Sequence, residues 1–164
     1  MRNIIQHPNP ILKQVSEAVE YNDPRIRELI PDMDGYIHTN TIGIAAVQLG
    51  VAIRFIGIRF GNEVLYMVNP VIVKHSEQTC SSLEGCRSIT DGRTIYKVTR
   101  HKIVKVQATT IHGKPVSVKL RDLSGMTVQH EIDHLDGLLI CDKGKLAGVI
   151  KEGKAPHKTD DVTK

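Results

Sequence analysis

A chain of 164 residues, 40% apolar and 24% charged, has the size and balance of a single soluble globular domain that buries a core without staples. Aromatics are only 4% with no Trp, so that core must be aliphatic. The 22 Lys+Arg against 18 Asp+Glu leave a net +4 with no dense basic stripe, which argues against sequence-specific nucleic-acid recognition, and no apolar run is long enough to cross a membrane.

Taken in order, residues 1–20 read as extended and then turned, because Pro8 and Pro10 break any early helix. The opening MRNIIQHPNP has neither an apolar signal region nor an Arg/Ser-rich presequence, so the expected location is the cytoplasm. From Pro24 a helical period sets in at Ile26, Leu29, Ile30, Met33 and Ile37, with Pro31 expected to kink the helix or open a second one. The small, apolar Thr41–Gly50 follows. Val51–Phe60 and Glu63–Val73 read as a hairpin about Gly61-Asn62, with Pro70 marking an edge or bulge. Ser81–Ile89 is too short and glycine-broken for a regular element. Lys102–Thr110 and Pro115–Leu120 alternate around the turn at His112–Lys114 as a second hairpin. A helix capped by Asp122 or Ser124 should run to Asp136 and stop at Gly137. Beyond Asp142 the glycines and Pro156 among lysines predict fraying, after one helical turn at most. The class is α+β, antiparallel strands wrapped around a central helix.

That helix carries QHEIDHLDG (Gln129–Gly137). His130 and His134, four residues apart, share one helix face and supply two legs of a metal site, with Glu131 placed to act on water. The alternative is an exposed polar turn that happens to hold two histidines. For a third ligand, the protease arrangement with a further histidine six residues on meets Ile140, and Glu152 lies in the glycine-rich tail. Cys80, Cys86 and Cys141 are odd in number and unpaired in spacing, a poor disulfide framework. Cys86 is the better third ligand, since Cys-His-His leaves a fourth position open for water; its alternative is a buried small hydrophobe.

GIAAVQ (Gly43–Gln48), EGCRS (Glu84–Ser88) and QHEIDHLDG, in this order and separation, resemble the three signature motifs of peptide deformylases. HPNPILKQVSEAVE resembles that family's opening segment, and Arg93 falls where the family commonly has an arginine. The likeness runs from about residue 3 to residue 142, which suggests one catalytic domain over 1–142 and a frayed or partly helical tail over 143–164. The resemblance implies hydrolysis of the N-formyl group from formyl-methionine at the start of nascent polypeptides, releasing formate. It implies Cys86, His130 and His134 as metal ligands, Glu131 as the acid/base residue, and Gln48 with the backbone N–H of Arg87 as oxyanion donors. The implied ion is Fe(II), replaceable by Zn, Ni or Co. Nascent chains as substrates imply passage close to the ribosome.

Within this frame Gly43 and Gly85 allow close backbone approach, and Leu123 and Met126, seven and four residues before His130, face the metal side as a methionine pocket. Glu84 and Arg93 are candidate supports that orient EGC. Thr41, Val47 and Arg87 depart from the family pattern at positions expected to flank the groove, and bear on peptide preference. Arg87 either meets an acidic residue after the methionine or faces solvent. The competing readings are a deformylase of another small formamide and a non-catalytic paralogue that binds peptide.

Overall fold

A computed structural model describes residues 1–39 and 41–150. Helix α1 (Pro24–Thr39) runs through Pro31 as one element. Both Pro31 and Arg27, whose carbonyl loses its helical partner, are exposed residues, so the missing bond is not a buried loss. Strand β1 (Gly43–Ala45) and a 3-10 turn at Ala46–Leu49 come from the small apolar segment. The expected hairpin is β2 (Phe55–Phe60) against β3 (Glu63–His75), and the register of β3 slips across Pro70, between Val68 and Val71, and again between Ile72 and Lys74. The second hairpin is β6 (Ile103–Thr109) with β7 (Pro115–Arg121). Together these form a five-stranded sheet in the order β1-β2-β3-β6-β7.

Strand β2 is buried on both faces because helices cover both. Phe55 belongs to the cluster with Ile26, Leu29, Met33 and Ile37 of α1. Ile56 and Ile58 belong to the cluster with Val128, Ile132 and Leu135 of the central helix α2 (Asp122–Leu135). Neither Asp122 nor Ser124 caps α2 as expected: the cap position is Arg121, and the Ser124 hydroxyl donates to the Arg121 carbonyl at 2.9 Å. Gly137 does end the turn, at φ +71, where a Cβ would also stand 2.5 Å from the Lys13 carbonyl oxygen.

A second, three-stranded sheet corrects two expectations. The first part of Ser81–Ile89, expected to be irregular, lies in β4 (Thr79–Gly85), paired along its length with β5 (Thr94–His101). The signal was missed because β4 is short and polar, and because Arg100 occupies an inward position of β5 where an apolar residue would have revealed the alternation. After the short helix α3 (Ile140–Lys143), the expected fraying is replaced over residues 145–149 by β8 (Lys145–Val149), paired with β5 in the order β4-β5-β8. Backbone pairing, not side-chain pattern, makes that strand. Residues 151–164, including Glu152, lie outside the described residues. Among the described residues no helix is long and apolar enough to cross a membrane.

Candidate active site

The two sheets meet at α2, and the expected ligands converge there. Cys86, one residue past β4, is buried with its Sγ 3.3 Å from His134 Nε2. The ligand atoms of Cys86, His130 and His134 lie within 4.8 Å of one another. One helical turn separates the two imidazoles, whose rings stand 4.9 Å apart edge to face. Burial alone would push the Cys86 thiol up, but the two histidines outweigh it and hold it well below its ordinary range, in the thiolate form a metal needs.

Each side chain around this centre is held by partners from other elements. Glu84 accepts two bonds from Arg100, at 2.8 Å each, which outweigh its burial and hold it ionised, well below the usual carboxylate range. An ionised carboxylate only accepts, so the 2.9 Å contact to His130 Nδ1 places the proton on that nitrogen and leaves Nε2 for an ion. Arg100 also reaches Asp133, beside His134 on α2, and Lys143 donates to the other Asp133 oxygen at 2.7 Å. Gln129 docks the same helix by accepting from the His101 N–H at 3.0 Å and donating to its carbonyl at 2.9 Å.

Glu131 is 3% exposed, its Oε2 has no hydrogen-bond partner, and burial raises its pKa to about 7, with the histidines pulling the other way. Gln48 is equally buried. Its Oε1 is taken by the Ala45 N–H at 2.9 Å, so its NH2 must turn toward Ser88 Oγ, at 3.2 Å, and Cys86 Sγ, at 3.7 Å. A cavity of about 690 Å³ opens in front of these groups. Gly43, Gly85, Arg87, Leu123 and Met126 line it, as do Thr41 and Arg93, whereas Val47 is wholly buried in the core and does not flank the groove. Gly43 is required by a close approach: a Cβ there would meet Glu131 Oε1 and Thr127 Cγ2 at 2.6 Å.

The donor chemistry fits a divalent transition ion. A thiolate and two imidazoles supply three soft-to-borderline ligands with one position left over, and the unpaired Oε2 of Glu131 is an acceptor awaiting a ligand. Such a set beside a buried carboxylate is the equipment of a metal-dependent hydrolase.

The chain belongs to the polypeptide deformylase family, whose model matches residues 1–148. It is 38% identical over 163 residues to a peptide deformylase of Brucella suis, covering 94% of this chain and 92% of that one. A Bacillus subtilis relative, peptide deformylase 1, is 35% identical over 148 residues, covering 87% and 89%. The crystal structure of a Thermotoga maritima peptide deformylase superposes with a TM-score of 0.81 at 30% identity, covering 87% and 97%. A Met-Ala-Ser-bound class I type b peptide deformylase from Acinetobacter baumannii gives 0.79 at 29%, covering 87% and 98%. These are metallohydrolases that remove the N-formyl group from nascent peptides.

Sequence reasoning missed Arg100, Asp133, Gln129 and Ser88. Glu84, a candidate support for EGC, bonds to Arg100 and His130. The missed signal was a charged residue at the inward position of an alternating segment, 94–101.

Proposed function

We propose that this chain hydrolyses the formyl group from formyl-methionyl nascent peptides in the cytoplasm, close to the ribosome, as one catalytic domain. Cys86, His130 and His134 hold one divalent ion, Fe(II), in a set that also accepts Zn, Ni or Co. The observation that carries the reading is the convergence of one thiolate and two imidazoles within 4.8 Å beside a buried, unpaired carboxylate.

A divalent ion in this set supplies Lewis acidity and lowers the pKa of water toward roughly 7. Glu131, poised near neutrality by burial, takes a proton from the attacking water and returns it to the leaving amine. As the formyl carbon becomes tetrahedral its oxygen gains charge, and the Gln48 NH2 and the Arg87 backbone N–H donate to it. Rupture of the C–N bond releases formate and a free amino terminus. Leu123 and Met126 receive the methionine side chain. Strands β1 and β4 each end a sheet, and their edges at Gly43 and Gly85 face the cavity, so an extended peptide fits between them.

The test is formate release from formyl-Met-Ala-Ser after anaerobic loading with iron or nickel. The wild type should turn over, and Glu131→Gln should lose ~10²–10⁴ in rate with its metal content intact. A fully loaded wild type that releases no formate would sink the reading.

A further inference from the structure

The hydrolysis uses the backbone N–H of Arg87 and leaves its guanidinium without a task, although that side chain lines the cavity next to a ligand. Its Nε is buried and makes no hydrogen bond. Among the described residues four buried side-chain atoms are orphaned in this way, and two of the others, on Glu131 and His134, belong to the reaction centre. Buried polar atoms are nearly always satisfied, so the orphaned Nε shows that the protein leaves the donors of this permanently charged, cavity-lining group only partly used.

The local structure holds the guanidinium ready. Its Nη2 lies 3.1 Å from Asp91 Oδ1, with Arg87 29% and Asp91 60% exposed, so the pair is screened and readily opened or shared. The loop between them is pinned: Gln6 Nε2 donates to the Arg87 carbonyl at 2.8 Å, and Gln6 Oε1 accepts from the Asp91 N–H at 3.3 Å. Thr90 and Asp91 sit at φ 45 and 55, left-handed values that Asp tolerates but that β-branched Thr90 keeps only where its surroundings enforce them. The other lining carboxylates are committed, Glu84 to Arg100 and His130, and Glu131 to the reacting centre. Arg93 adds a second cation to the same wall.

We infer that Arg87 determines substrate specificity: its guanidinium receives a carboxylate carried by the peptide within two residues of the methionine, sharing or displacing Asp91. A planar fork matches a carboxylate with two parallel bonds, a geometry no neutral side chain at this position offers. The inference rests on the deformylase reading and specifies which nascent chains that activity favours.

Asp and Asn are isosteric, so the test compares kcat/KM for formyl-Met-Asp-Ser with formyl-Met-Asn-Ser, and formyl-Met-Ala-Asp with formyl-Met-Ala-Asn. One Asp peptide should be preferred about 1.5- to fivefold, the range of a partly exposed charge pair. The preference should shrink as salt is raised from about 0.05 to 0.5 M. Arg87→Leu should bring the ratio to unity, Arg87→Lys should keep part of it, and Asp91→Asn should enlarge it by removing the internal competitor. Any damage to the neighbouring backbone lowers both peptides alike and cancels in the ratio. Calorimetric binding of the products Met-Asp-Ser and Met-Asn-Ser reads the same preference without catalysis. A ratio of unity in the wild type at both positions, or one that survives Arg87→Leu, overturns the inference. Absence of formate from every peptide overturns the deformylase reading instead, and the product-binding ratio still decides the role of Arg87.

Discussion

The five-stranded and three-stranded sheets are joined to α2 by different physics. The large sheet meets the helix mainly through aliphatic side chains, with Ile56, Ile58, Val104, Val106 and Leu120 against Val128, Ile132 and Leu135. The small sheet has a thinner apolar cluster, around Leu12, Ile89, Val98, Leu139 and Ile140. It is tied to the helix by a buried ionic relay, from Glu84 on β4 through Arg100 on β5, itself 2% exposed, to Asp133 on α2. Apolar burial is non-directional and tolerates small displacements, whereas a bidentate guanidinium–carboxylate pair fixes distance and orientation. The candidate metal centre needs the second kind of junction, because its thiolate comes from the small sheet and its imidazoles from the helix on the large one.

Breaking each junction in turn separates the two. Arg100→Met leaves Glu84 and Asp133 buried without their cation, and should destabilise by ~3–5 kcal/mol in denaturant melts. It should also lower metal affinity by about tenfold or more, because Glu84 no longer holds His130 in one tautomer and orientation. Ile58→Ala, on the aliphatic side, should cost about 2–5 kcal/mol through its cavity, with the metal affinity of the folded fraction unchanged. Equal losses of affinity in both variants would erase the distinction. The smallest effect should come from Asp142, which clamps the small-sheet side by accepting from the Leu139 N–H at 2.7 Å and pairing with Lys13. Although burial opposes it, the Lys13 bond outweighs that and lowers the Asp142 pKa. The increment is therefore present above the unfolded carboxylate value near ~3.9 and lost as pH falls through the folded one. With both partners more than a third exposed, it should be only a few tenths to ~1 kcal/mol. Melting curves of the wild type at about pH 6 and pH 3, set against Asp142→Asn, should show that increment only in the wild type.

The same division governs what could be read from the residues alone. The hairpins β2–β3 and β6–β7 announce themselves through alternation and turn glycines, and α2 through its period and Gly137. These elements belong to the aliphatic half, where period and burial coincide. Strands β4, β5 and β8 do not, because an inward arginine, a run of small polar residues and a lysine-rich segment mask the alternation. At the site, the histidine pair follows from its spacing, whereas Cys86 was singled out from other cysteines by likeness to known motifs. Arg100 shows locally only as a charge in an alternating segment, and nothing near it in the chain says that Glu84 and Asp133 receive it.

By itself, the order of residues determined the α+β class, the helix bearing two imidazoles on one face, and the donors available to it, since these depend on contacts within a few residues. Only the tertiary structure decided that β4 delivers a thiolate to those imidazoles, that Gln48 turns its NH2 inward, and that Glu84 answers to Arg100. Those facts depend on backbone pairing and charge contacts between segments 16 to 48 positions apart, which no local pattern encodes.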